Sequence, residues 1–306
     1  MRLLNASGCL DALTAPEVAR ELDVFVTKTV TPLPREGNAP VRIAETELGM
    51  LNAIGLANPG IDEFADQTLP RLGGSLRAPI WVSVGGFSTQ DYAEICERLD
   101  GREEVGAIEL NLSCPNVDEV PESVGEAVGA ARTATRKPLY AKLSPAVPDI
   151  AEMARAAEAA GADGLSLVNT IRGLALDERT LQPVLARGAG GLSGPALRPI
   201  ALAAVHACYR AVQLPIVGMG GVSTGRHALE LLAAGAADVA LGTILFADPD
   251  APARIRSELE AELAARGFAT ADNAIGAAHA SGAPSLDQGS RLAGQKALHI
   301  GAKMVG

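Results

Sequence analysis

The strongest constraint on this chain is an alternation of strand and helix that repeats every 25–35 residues or so. Short runs rich in β-branched and other apolar residues predict strands at Val24–Thr31, Ile80–Gly85, Ala107–Leu112, Leu139–Leu143, Gly164–Asn169, Ile216–Met219 and Val239–Gly242. Between them, apolar residues at helical spacing predict helices over Ala15–Leu22, Thr89–Leu99, Glu122–Thr135, Asp149–Ala160, Ala196–Val212, Arg226–Ala234 and Ala251–Arg266. An eighth strand falls either between Gly49 and Leu56 or at the N-terminal end. This order calls for parallel strands joined by right-handed crossovers. Seven or eight such units close into an α/β fold of the (β/α)8 TIM-barrel type. An open doubly wound sheet would carry a glycine-rich dinucleotide fingerprint after its first strand, and none stands there.

The rest of the sequence agrees with one barrel. Its 306 residues suit a domain that typically needs ~250. Aromatic residues are only 3% of a chain that is 48% hydrophobic, so the core must be built of Ala, Val, Leu and Ile. Such a core suits parallel strands covered by helices. Thr14-Ala15-Pro16-Glu17 reads as a capped helix start, as do Ser88 or Thr89 and Pro121, while Gly161 and Gly235 read as helix stops. Residues 1–266 form the barrel. From Gly267 the texture turns to Ala, Gly and Ser, and 267–306 is a tail that is disordered or drapes over the barrel.

A net charge of −10 argues against nucleic acid or an anionic membrane as a general partner. Cys9, Cys96, Cys114 and Cys208 are widely spaced with no CxxC pair, which points away from disulfides and metal sites and towards a reduced, cytoplasmic protein. No charged-then-apolar leader and no membrane-length apolar run is present.

In a barrel the chemistry sits where strands end. Two successive strands end in small residues, Gly218-Met219-Gly220-Gly221 and Leu241-Gly242-Thr243. Glycines let backbone N–H groups approach an anion, and the following helix start adds a positive dipole, so this corner reads as a phosphate site rather than as mere tight turns. That feature alone fits flavin mononucleotide (FMN) enzymes, and equally isomerases or aldolases acting on phosphorylated substrates. Glu109-Leu110-Asn111-Leu112-Ser113-Cys114-Pro115-Asn116 ends another strand in two amides and a thiol. An exposed thiolate can act as a base, although most free cysteines are small buried hydrophobes, as Cys96 and Cys208 on helices should be. Lys28, Lys142 and Asn169 stand at further strand ends. A lysine on a strand that otherwise reads as core needs a partner anion, and two of them beside asparagines suggest an anionic cofactor and an anionic substrate.

Together these segments resemble the class 1 dihydroorotate dehydrogenases. The matching stretches are Asn5-Ala6-Ser7-Gly8, Thr27-Lys28-Thr29 with Arg35-Glu36-Gly37-Asn38, and Leu51–Leu56 with Asn58. They continue through Asn111–Asn116, Lys142, Val168-Asn169-Thr170, Gly191–Pro195, Gly220-Gly221 and Gly242-Thr243, in the same order. The resemblance implies an FMN-dependent oxidation of dihydroorotate to orotate in pyrimidine biosynthesis. It implies that Ala6, Ser7, Lys142, Val168, Gly194, Gly220, Gly221, Gly242 and Thr243 contact the flavin or its phosphate, with Lys142 near the pyrimidine edge of the ring. Asn52, Gly55, Leu56, Asn116, Asn169 and Thr170 would bind the substrate, Lys28 and Asn111 would serve both ligands, and Cys114 would be the base.

Cys114 points to the soluble class, where a homodimer reduces fumarate or a heterotetramer with an FAD and [2Fe-2S] subunit reduces NAD. The stretches Asn169–Gly173 and Gly191–Pro195 look more like the NAD-linked type B. Two departures are expected: a short hairpin that relatives usually carry ahead of Asn5–Gly8 reads as absent or cut short, and the loop after Cys114 reaches Pro121 quickly. Competing readings are a related FMN enzyme acting on another dihydropyrimidine such as dihydrouracil, a phosphate-binding isomerase or aldolase barrel, and a non-catalytic barrel.

Overall fold

The computed structural model of the protein describes residues 1–112 and 124–279. Eight parallel strands form one sheet: β1 (Leu3–Asn5), β2 (Phe25–Val26), β5 (Ile80–Val84), β6 (Val105–Asn111), β7 (Leu139–Leu143), β8 (Gly164–Leu167), β11 (Ile216–Met219) and β12 (Asp238–Leu241), in the order β1-β12-β11-β8-β7-β6-β5-β2. A parallel bridge between Leu4 and Val24 joins the two ends and closes the barrel. The eighth strand is therefore the N-terminal one. The alternative, Gly49–Leu56, is corrected: Gly49–Asn52 is β4 of a separate antiparallel sheet with β3 (Ile43–Thr46), β9 (Ile171–Gly173) and β10 (Gly190–Ser193), in the order β3-β4-β10-β9.

The closing seam is made partly by side chains. Asn5, fully buried, donates from Nδ2 to the Val26 carbonyl at 2.7 Å and accepts from the Val26 N–H at 2.8 Å. Asp23 likewise accepts from the Leu3 N–H at 2.8 Å. These groups stand in for ladder bonds that β2 is too short to make. The expected strand Val24–Thr31 reduces to Phe25–Val26 with single bridges at Val24 and Val30, and between them Lys28 and Thr29 line the cavity at the barrel mouth.

Alternation along the strands separates two cores. Leu165, Leu167, Ile108, Leu110, Leu139 and Leu143 face the surrounding helices, while Leu4, Val24, Val26, Trp81, Ala107, Tyr140, Val217, Met219 and Ala240 fill the barrel interior. The Trp81 and Tyr140 rings meet there at a tilt of 35° with centroids 4.2 Å apart, and Arg2, bonded to Asp238, lies over Trp81 at the barrel floor. One step further up β5, β6, β7 and β8 the interior turns polar: Ser83, Glu109, Lys142 and Ser166 are all buried.

Helix starts follow their caps. Ser88, Asp149 and Thr224 accept from backbone N–H groups of the first turns that follow them, and Gly235 closes Gly225–Ala234 in the left-handed conformation at φ +116°. The Thr14 cap does not form: the helix Pro16–Arg20 begins after Ala15, and the Thr14 hydroxyl donates to the Asp11 carbonyl instead. The described part of the tail, 267–279, lies on the barrel's helices. Ala274 is buried, the Gly276 N–H donates to Leu232, and the His279 ring stacks on His206 at 4.0 Å with Nε2 2.9 Å from the Ala234 carbonyl.

Candidate active site

A cavity of about 380 Å3 opens at the strand C-terminal end of the barrel, between the barrel mouth and the small antiparallel sheet. Every described candidate residue lines it: Ala6 and Ser7 after β1, Lys28 after β2, Asn52, Gly55 and Leu56 at and after β4, Asn111 ending β6, Lys142 in β7, Val168, Asn169 and Thr170 after β8, Gly194 after β10, Gly220 and Gly221 after β11, and Gly242 and Thr243 after β12. Cys114 and Asn116 lie outside the described residues. Sequence reading had not assigned cavity roles to Gly8, Cys9, Thr29, Ser193, Ser223 and Phe246, which also line it. Thr29 and Ser193 stand inside stretches already singled out for their neighbours, so a signal was present.

The amides are held in one chain of hydrogen bonds. Asn169 Nδ2 donates to Asn111 Oδ1 at 3.0 Å, Asn111 Nδ2 reaches Thr29 Oγ1 at 3.4 Å, and Thr29 in turn meets Ser7 Oγ at 3.2 Å and Ser83 Oγ at 3.0 Å. The Tyr92 hydroxyl fixes the backbone beneath, donating to the Asn111 carbonyl at 2.9 Å. Asn52 donates to the Gly191 carbonyl across the small sheet at 3.2 Å. A side-chain amide fixed at one end presents its remaining donors and acceptors in a defined direction, which is what a flat heterocycle with ring amides requires.

The loop after β4 is strained and braced. Gly55 has φ +75° and Leu56, not a glycine, φ +56°. The left-handed region is uncommon for a leucine, and such strain persists only where its surroundings hold it. Here Asn38 donates to the Ala53 carbonyl, Arg35 to Gly55 and Asn58 to Leu56. The Ala53 and Asn58 N–H groups are taken too, by the Arg42 and Arg35 carbonyls, so the backbone of Gly55 and Leu56 is held from both sides where it lines the cavity.

The corner between β11 and β12 has the features of a phosphate cradle. A methyl group on Gly221 (φ +70°) would stand 2.8 Å from both Arg198 Cβ and the Gly194 carbonyl oxygen, and one on Gly220 (φ +126°) 2.8 Å from Ala201 Cβ. Only glycine allows this backbone to sit so close to its neighbours. The helix Gly225–Ala234 starts just beyond, and its first turns carry His227, whose Nδ1 is 3.1 Å from Ser223 Oγ. Burial, and then the Arg198 charge, push the His227 pKa down, so its neutral ring is favoured at this corner. Thr243 Oγ1 donates to Ser193 Oγ at 2.8 Å and ties the end of β12 to the small sheet.

Two lysines line the cavity of a chain that is acidic overall. Gly8 makes room for one of them, since a Cβ there would meet Lys28 Cδ at 3.0 Å. For the other, the anion expected from an external ligand is supplied first by the chain: Lys142 Nζ is 3.3 Å from Glu109 Oε1, with both side chains buried. Cys9 is held as the thiol because burial raises its pKa against the pull of Lys142 and Lys28. Cys96 and Cys208 are buried on helices, as expected, with pKa values pushed up to about 12 by burial. No group of residues suited to a metal ion occurs among those described. No described helix is long and apolar enough to cross a membrane.

A glycine cradle at one corner, a buried cation in the floor and braced amides opposite fit a phosphate-bearing flavin with a polar heterocycle beside it. The comparisons with known proteins name a family. The family model for dihydroorotate dehydrogenase matches residues 2–263. A protein of Desulforudis audaxviator named dihydroorotate dehydrogenase B (NAD(+)), catalytic subunit, is 44% identical over 292 residues, covering 92% of this chain and 94% of its own. One of the same name from Trichlorobacter lovleyi is 46% identical over 264 residues, covering 84% and 86%. A Solibacter usitatus protein whose name places it with dihydroorotate dehydrogenase A (fumarate) is 44% identical over 259 residues, covering 82% and 85%. Among solved structures, the Eimeria tenella dihydroorotate dehydrogenase in complex with ferulenol superposes with a TM-score of 0.75 at 22% identity over 91% of this chain and 85% of that one, a likeness of fold. By its sequence over nearly the whole barrel, the chain belongs to the dihydroorotate dehydrogenase family.

Proposed function

We propose that this protein oxidises dihydroorotate to orotate with FMN as its hydride acceptor, as a soluble class 1 enzyme of pyrimidine biosynthesis in the cytoplasm. The observation that carries this reading is the convergence of every described candidate residue on one cavity. Gly194, Gly220, Gly221, Gly242 and Thr243 would hold the phosphate, with Ala6, Ser7, Val168 and Lys142 along the ring. When bound, the flavin supplies a two-electron sink for the hydride that leaves C6.

The chain's own residues do the rest. Lys28 and the backbone of Gly55 and Leu56 bind the substrate carboxylate. Asn52, Asn111, Asn169 and Thr170, together with Asn116, hold the ring amides. Cys114, as thiolate, takes the proton from C5, which is acidified by the neighbouring carbonyl. Fixing C5 towards one group and C6 towards another is a positioning task, and it accounts for the density of braced amides here.

The names of the relatives support one reading of the electron acceptor. Of the three relatives named above, two carry the type B name and one type A, and we place the chain with the NAD-linked type B. A catalytic subunit of that type works as a homodimer joined to two electron-transfer subunits carrying FAD and [2Fe-2S]. The barrel and its site occupy residues 1–266.

The test is anaerobic mixing of the purified protein with dihydroorotate while following flavin absorbance. Rapid bleaching is expected. A yellow protein that stays yellow with dihydroorotate but bleaches with dihydrouracil would move the substrate to another dihydropyrimidine, and one that neither bleaches would be a non-catalytic barrel. A colourless protein unable to take up FMN would leave only a phosphate-binding barrel of another kind.

A further inference from the structure

The polar layer inside the barrel holds a buried charge pair to which the proposed reaction gives only half a role. Glu109 and Lys142 are both nearly inaccessible, 1% and 6% exposed, and their charged atoms are 3.3 Å apart. The register explains the meeting. Lys142 is level with Asn111 at the mouth, and Glu109 is level with Tyr140, one interior step below. The lysine therefore lines the cavity, whereas the glutamate does not.

A buried ion pair is weak evidence for stability, because desolvating two charges offsets much of their attraction. Hydrophobic residues of similar size would fill a barrel interior at least as well. The neighbourhood also has polar capacity that the fold leaves unused. Ser166, level with Lys142 on β8, has a fully buried hydroxyl that alone among the buried side-chain polar atoms of the described residues has no hydrogen-bond partner. This layer is built for charge, and the charge faces the cavity on one side only.

We infer that Glu109 is a positioning residue: by pairing with Lys142 from below, it fixes the ammonium at the cavity floor and partly neutralises it, and so sets how strongly the reduced cofactor is favoured. The inference rests on the flavin reading above. An unopposed buried cation beside the ring would stabilise the negative charge that reduction brings. The counter-charge tempers that effect, so the flavin both accepts the hydride and later gives up its electrons.

The experiment measures the midpoint potential of the bound flavin in the holoenzyme, by anaerobic dye-linked titration, for wild type, Glu109→Gln, Lys142→Gln and the double variant. Glu109→Gln is expected to shift the oxidised–reduced equilibrium at least tenfold towards the reduced form, which is about 30 mV upward for a two-electron couple. In the Lys142→Gln background the same substitution is expected to change it less than twofold. An unchanged potential in Glu109→Gln overturns the inference. An equal shift in both backgrounds also overturns it, since Glu109 would then act on the flavin directly. If Glu109→Gln does not fold, Glu109→Asp keeps the charge but withdraws it by one methylene, and a shift of at least threefold in the same direction is expected; no shift overturns the inference. A wild-type protein that binds no flavin fails the functional reading instead, whereas a yellow, substrate-reducible protein with an insensitive potential fails only this one.

Discussion

At the residue scale, the role of each site residue depends on what braces it. Asn5 shows this best: its amide replaces two ladder bonds at the barrel seam. Asn5→Ala would leave the buried Val26 N–H and carbonyl unpaired, and a loss of about 2–4 kcal/mol in denaturant unfolding is expected. In the proposed reaction Cys114 is the residue on which proton removal turns. Cys114→Ser should slow flavin reduction by dihydroorotate roughly a hundredfold at neutral pH and recover partly in alkali, because a hydroxyl is the poorer base. Stopped-flow traces across pH check this, and unchanged kinetics would remove Cys114 from the mechanism.

At the element scale, strand ends matter more than strands. Two glycines that both adopt positive φ separate site from scaffold. Gly221→Ala would drive a methyl to 2.8 Å from Arg198 Cβ and the Gly194 oxygen, and flavin affinity should fall more than tenfold while the fold survives. Gly235→Ala would place its methyl 2.2 Å from the Tyr209 ring, far from the cavity, and should cost about 1–3 kcal/mol of stability with flavin affinity unchanged. Fluorescence titration with FMN and thermal unfolding distinguish the two. The same contrast explains what was legible in the sequence. Leu139–Leu143 and Ile216–Met219 were readable to the residue because their runs are buried throughout. The strands β3, β9 and β10 were not, since they are short, partly exposed and carry several glycines, and β4 was read only as one of two places for an eighth barrel strand. The site was legible in its small and polar strand ends. Glu109 went unremarked because a single acid within an apolar strand does not show which lysine it will meet.

At the scale of the whole molecule, stability should depend on pH through two histidines. His206, stacked on His279 in the docked tail, and His227 at the glycine corner both have pKa values lowered, first by burial. A histidine whose folded pKa lies below its unfolded value of about 6.5 binds protons more readily when unfolded. Its stabilising contribution is therefore present above that value and is lost as pH falls from there through the folded pKa. The melting temperature should drop between pH 7 and pH 5, and His206→Gln should flatten the decline. A flat profile in the wild type would show that neither ring is held neutral.

The side-chain seam between β1 and β2 has a consequence in time. A cylinder opens where its staves are joined least firmly, and here one join is held by the Asn5 carboxamide, the Asp23 carboxylate and a single backbone bridge rather than by a continuous ladder. Backbone hydrogens at Val26 should exchange with deuterium ahead of those in β7 or β11. Ala6, Ser7 and Lys28 hang on the two staves that part there, so each such breath would loosen one wall of the cavity, and the rate of breathing would bound how slowly the protein can release what it holds.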